Sequence, residues 1–98
     1  MVKQIDTAEN TAKRVCKFAV KAKPGQKVSL SGSFNDWDPD AAPMQDRLGD
    51  GHYLCEVELS PGSYEYKFVV DDEWLLDEEN PNFAANDFGT LNSVLTVV

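Results

Sequence analysis

Apolar and polar residues alternate in short runs along this chain, and no run carries the 3.6-residue period of a helix over two turns. The runs end at clusters of Gly, Pro, Asn and Asp, the residues that stop strands and build tight turns. Arg14 to Val20 predicts a first strand with Cys16, Phe18 and Val20 on one face, and the Pro24-Gly25 pair predicts the turn that follows. Val28 to Ser33 predicts a second strand, and Met44 to Leu48 a short one closed into a hairpin by Gly49-Asp50-Gly51. Tyr53 to Leu59 alternates most cleanly, with Tyr53, Cys55, Val57 and Leu59 facing one way and Glu56 and Glu58 the other. Ser60-Pro61-Gly62-Ser63 predicts a type II turn, with Gly62 at the position that requires a positive φ. Tyr64 to Val70 is then the partner strand, Trp74 to Leu76 a brief one, Asp77 to Gly89 a long loop and Ser93 to Val98 the last strand. Several short strands between turn signals predict an all-β fold, an antiparallel β-sandwich of immunoglobulin-like type. Met1 to Lys13 has no period and is expected to be a flexible arm, which leaves residues 14–98 as the domain.

Two tryptophans sit beside turns in this pattern. The stretch Gly32-Ser33-Phe34-Asn35-Asp36-Trp37-Asp38-Pro39 ends the second strand in a polar turn, and Asp71-Asp72-Glu73 separates another strand from Trp74. An indole at a sheet edge beside polar side chains such as Lys67, Thr90 and Asn92 suits a sugar, whose C–H face stacks on the ring while its hydroxyls seek partners. The alternative is that either tryptophan fills the core of the sandwich.

Charge and length narrow the choice of partner. The chain has 98 residues and a formal net charge of −8, enough for one self-sufficient core but repelled by phosphate backbones and anionic membranes. Nucleic acid and membrane are therefore excluded as expected partners, whereas an uncharged ligand meets no such repulsion. Met1 to Arg14 contains no apolar leader core, and no run approaches the ~20 apolar residues of a membrane span, so a cytoplasmic setting is expected. Cys16 and Cys55 lack a Cys-x-x-Cys spacing and the chain has a single histidine, His52. That is too few ligands for a zinc site, and both thiols are expected reduced and inward-facing.

Chemistry has two candidate sites, each with a weakness. Asp71, Asp72, Glu73, Asp77, Glu78 and Glu79 surround Trp74 and could supply a glycosidase carboxylate pair. A catalytic acid needs a pKa raised by burial, whereas these groups fall in polar, solvated turns. Asp36, Asp38 and Asp40 have the one-three-five spacing of a calcium loop, but Ala41 stands where glycine is required and Arg47 where a bidentate glutamate belongs. No catalytic residue, metal or cofactor is expected.

Three ordered motifs carry a resemblance. Gly-Ser-Phe-Asn-Asp-Trp at 32–37, Tyr-Lys-Phe-Val-Val-Asp-Asp-Glu-Trp at 66–74 and Phe-Gly-Thr-Leu-Asn-Ser at 88–93 resemble the family 48 carbohydrate-binding modules. That family includes the glycogen-binding module of the AMP-activated protein kinase β subunit and the early-set domains of isoamylases and branching enzymes. The resemblance implies that Trp37 and Trp74 stack on glucose rings of α-1,4-glucans, that Lys67, Thr90 and Asn92 bond sugar hydroxyls, and that Phe88 stands where the kinase module has a leucine protruding through a ring of glucose units. The segment Asp77 to Asp87 departs from the family pattern. The function so implied is non-catalytic binding of glycogen, starch or maltooligosaccharides. The alternative is a protein-interaction domain that docks onto, or regulates, an enzyme of glycogen metabolism.

Overall fold

The computed structural model describes residues 13–98, so the expected flexible arm lies, but for Lys13, outside the described residues. Among the described residues seven strands follow in chain order: β1 (Arg14–Lys21), β2 (Val28–Gly32), β3 (His52–Leu59), β4 (Gly62–Val70), β5 (Glu73–Leu75), β6 (Phe83–Ala85) and β7 (Leu91–Val97). No helix occurs among the described residues. β1 and β3 pair antiparallel from Arg14↔Leu59 to Lys21↔His52 and form one sheet. The other runs β2-β4-β7-β6, again antiparallel, and β5 adds to the end of β4 beyond the reach of β7.

The two sheets close over one core, as alternation requires. Phe18 comes from β1, Tyr53 from β3, Val28 and Leu30 from β2, and Tyr66, Phe68 and Val70 from β4. Leu30 lies opposite Phe68 in the β2–β4 ladder, and both are fully buried. The Phe18 and Tyr66 rings meet edge to face across the sandwich at 5.0 Å, a preferred aromatic arrangement. The fold is therefore the expected all-β sandwich. Cys16 and Cys55 are both free and half-buried, packed against this core from β1 and β3.

Three local expectations are corrected. The segment expected as a strand from Met44 to Leu48 forms only one isolated bridge, Gln45↔Leu54, with a second, Ser29↔Pro43, just before it. It stitches one sheet to the other, with Met44 N–H donating to Val28 O at 2.8 Å and Gln45 exchanging bonds with Leu54. Past Gln45 the chain loops, because the Asp46 carboxylate accepts from Asp50 and Gly51 N–H and substitutes for ladder bonds. The turn at Ser60 to Ser63 is not type II: Gly62 has φ +155°, far from the roughly +80° that position demands. It already belongs to β4, and the Tyr64 hydroxyl secures the turn by donating to Ser60 O at 2.7 Å. Finally, the long loop after Leu76 contains a short strand, β6, paired to β7.

Candidate functional site

The alternation that buries Tyr66 and Phe68, with Tyr64 half-buried on the same face, turns Ser63, Glu65 and Lys67 to the outer face of the larger sheet. On that face lies a cleft of about 700 Å³. Trp37, Lys67, Trp74, Phe88, Thr90 and Asn92, brought forward from the sequence, all line it. Sequence reasoning missed Ser33, Ser63, Glu65, Asn86 and Asp87, which line it too. Glu65 was within reach, since it shares the face of Lys67 two residues on, but Asn86 belongs to a stretch with no period.

The turn that presents Trp37 is held by a side chain. Asn35 Oδ1 accepts from Gly32 N–H at 3.0 Å while its Nδ2 donates to Leu30 O at 3.1 Å. Gly32 O in turn accepts from the N–H groups of Asn35 and Trp37. Asp36 and Trp37 take φ values of 58° and 56°, the left-handed region that a bulky residue occupies only where its surroundings dictate it. Gly32 is required for contact reasons, because a Cβ there would stand 2.5 Å from Glu65 O and 2.6 Å from the Phe34 ring.

Trp74 is delivered by a hairpin. Asp71 and Asp72 both have positive φ, 48° and 71°, as a two-residue turn of mirror-image type I demands. The Asp71 carboxylate accepts from Lys27 N–H at 2.9 Å and from Gln26 Nε2 at 3.0 Å. These bonds hold its pKa below the ordinary 3.8, the Lys27 N–H having the larger effect. A general acid would need the opposite shift. Asp77 instead accepts from the Tyr66 hydroxyl at 2.7 Å, which also receives Asn80 Nδ2 at 3.0 Å and ties the 77–80 turn to the sheet. Burial pushes the Tyr66 hydroxyl pKa upward, in keeping with a neutral donor. Among the described residues no group of three or more His, Cys, Asp or Glu side chains could hold a metal ion.

Neither tryptophan is part of the core. Trp74 is 41% exposed and Trp37 half-buried, so the core alternative does not hold. Between them the floor is polar: Lys67 Nζ donates to Thr90 Oγ1 at 3.0 Å, and Asn92 Nδ2 donates to Glu65 Oε1 at 2.9 Å. Phe88 projects from the tight turn between Asn86 and Thr90 and is 91% exposed. An apolar ring that exposed, next to two indoles and a hydrogen-bonding floor, forms an amphipathic surface suited to a ligand that is itself flat, apolar on its faces and hydroxylated at its rim.

Known proteins resemble this chain over most of its length. The family model described as the glycogen recognition site of AMP-activated protein kinase matches residues 17–98. The 5'-AMP-activated protein kinase subunit beta-1 of Sus scrofa is 33% identical over 73 residues, covering 74% of this chain and 56% of that sequence. The beta-1 subunit of Homo sapiens is 33% identical over 73 residues, again 74% of this chain but 25% of the subunit. The beta-2 subunit of Mus musculus is likewise 33% identical, with 26% of its length covered. The chain thus spans about half of the first of these relatives and a quarter of the other two.

Proposed function

This chain belongs to the family described as the glycogen recognition site of AMP-activated protein kinase, and on that footing we propose that it binds glycogen and related α-1,4-glucans, starch and maltooligosaccharides included. Its family is one of recognition and not of catalysis. In the proposed mode Trp37 and Trp74 offer their faces to the C–H faces of glucose units, while Lys67, Thr90 and Asn92 bond hydroxyls along the rim. Phe88 supplies a third apolar contact from the exposed turn. What carries the reading is the convergence of all these side chains on one cleft, although they come from strands and loops far apart in sequence.

A shallow site of a few rings implies dissociation constants of roughly micromolar to millimolar, because small contact areas exceed their ordering costs by little. Co-sedimentation with glycogen and with insoluble starch tests the proposal. The parent chain is expected in the pellet and Trp37→Ala in the supernatant; a parent that stays in solution with both polysaccharides contradicts it.

A partner reading stands beside it. The relatives are subunits of a protein kinase, which favours assembly with a kinase over docking onto an enzyme of glycogen metabolism as the chain's protein contact. The proposed setting is cytoplasmic, and no helix of the described residues is long and apolar enough to cross a membrane.

A further inference from the structure

The polar floor of the cleft is one continuous hydrogen-bond chain with a fixed sense. Lys67 Nζ donates to Thr90 Oγ1 at 3.0 Å; Asn86 Nδ2 donates to the same oxygen at 2.7 Å and to Asn92 Oδ1 at 3.0 Å; Asn92 Nδ2 donates to Glu65 Oε1 at 2.9 Å. The direction is set at both ends by groups that have no choice. Asn86 Oδ1 accepts from the backbone N–H groups of Phe88 and Thr90, at 2.9 and 3.1 Å, and a backbone N–H only donates. The Asn86 amide nitrogen must therefore face Thr90 and Asn92. At the other end an ionised carboxylate only accepts, so Asn92 must turn its nitrogen to Glu65.

Both acceptor positions of the Thr90 hydroxyl are used, by Lys67 and Asn86, which leaves its O–H free to donate. Asn92 keeps one N–H, and Lys67 keeps two. Apart from the Glu65 carboxylate, the groups that this hydrogen-bond chain leaves over are donors, and the atoms they suit are the acceptor oxygens of sugar hydroxyls. These side chains bond to one another without needing the sugar, so little ordering is left to binding.

We propose that Glu65 and Asn86 are positioning residues of this cleft, which fix Thr90 and Asn92 as hydrogen-bond donors towards the hydroxyl oxygens of a bound glucan. The inference rests on the glucan reading above. Neither residue needs to touch the sugar: Asn86 acts through Thr90 and Asn92, Glu65 through Asn92.

Calorimetric titration of the full chain with maltoheptaose tests it through substitutions that reverse or keep the sense of the chain. Asn86→Asp keeps an acceptor for the two backbone N–H groups but replaces the donor by a second acceptor. Thr90 must then turn its proton inward and Asn92 loses its partner, so affinity is expected to fall at least roughly fivefold, the worth of about one net hydrogen bond. In an Asn92→Ala background the same substitution is expected to have a clearly smaller effect, since one of its two targets is gone. A loop that had merely loosened would lose as much in both backgrounds, and that result overturns the positioning role. Glu65→Gln still offers Asn92 an acceptor and is expected within about twofold of the parent, whereas Glu65→Ala is expected to weaken binding as Asn86→Asp does. The Glu65 pair decides the matter if Asn86→Asp unfolds the domain, and equal affinity for parent, Glu65→Gln and Glu65→Ala overturns the proposal. A parent chain that gives no heat with maltoheptaose is instead a failure of the glucan reading, and the inference falls with it.

Discussion

Trp74 stands directly opposite Val69 in the β4–β5 ladder. Residues opposed in an antiparallel pair share a face, and Val69 shares its face with Lys67 two positions earlier. The short hairpin at Asp71 and Asp72 therefore returns the chain so that the indole comes to the face on which Lys67 lies. The core residues of β4, Tyr66 and Phe68, point the other way.

That separation of faces gives opposite expectations for two substitutions a few residues apart. Trp74→Ala removes a 41% exposed ring and opens no core cavity, so glucan affinity is expected to fall at least roughly tenfold, about 1.4 kcal/mol, with the melting temperature little changed. Phe68 is fully buried, and Phe68→Ala is expected to cost about 3–5 kcal/mol of stability. Thermal melts beside titrations of both variants separate the two roles; a Trp74→Ala chain that melts early would make Trp74 a packing residue.

Gly32 is expected to resist even the smallest side chain. Its Cβ would meet Glu65 O and the Phe34 ring at 2.5 and 2.6 Å, contacts that require the backbone or the ring to move. Gly32→Ala is expected to cost about 1–3 kcal/mol, seen as a melting temperature lowered by several degrees. Glucan affinity should fall with it, because the same turn carries Trp37. An unchanged melting temperature would show that the turn has slack that the contact distances do not suggest.

Acid stability has a sign set by Asp71. Its folded pKa lies below the ordinary 3.8, so its contribution is fully present above that value and is lost as pH falls through the folded pKa. Asp50 is lowered too, chiefly by the His52 N–H, so the comparison must be with a variant. Parent and Asp71→Asn are expected to differ in melting temperature at pH 6 and to converge towards about pH 2. A difference that widens on acidification would reverse the assignment.

Much of this was legible in the sequence, and the misses share a cause. Strands with a one-sided burial requirement, such as Tyr53 to Leu59, announce themselves by alternation, and the acidic turn before Trp74 announces a hairpin. Phe83–Ala85 offers no alternation, because β6 exists only through its pairing to β7. Met44 is buried in a segment flanked by isolated bridges that forms no strand, and a lone apolar residue reads the same in either case. Individual cleft residues were found by motif, but the hydrogen-bond chain through Glu65 and Asn86 joins β4, a loop and β7. No local pattern records such a contact.

Cys55 is expected to be a poor nucleophile. Desolvation pushes its pKa up to about 11, which leaves about one thiol in ten thousand ionised at pH 7, and the thiolate is the reactive form. In timed labelling by a disulfide reagent at neutral pH, with the modified site read by mass spectrometry, Cys55 should react slowly in the folded chain and rapidly in denaturant. Fast labelling of folded protein at Cys55 would contradict the burial that raises it.

Titration of the chain with maltoheptaose, followed by tryptophan fluorescence at low salt and at about 0.5 M salt, reads glucan stacking on Trp37 and Trp74 itself. Stacking on Trp37 and Trp74 with hydrogen bonds to neutral hydroxyls involves no ion pair for salt to screen. A saturable change is therefore expected, with a dissociation constant of roughly micromolar to millimolar that agrees within about twofold at the two salt concentrations. No saturable change, or an affinity that collapses as salt rises, would contradict binding of a neutral glucan by tryptophan stacking.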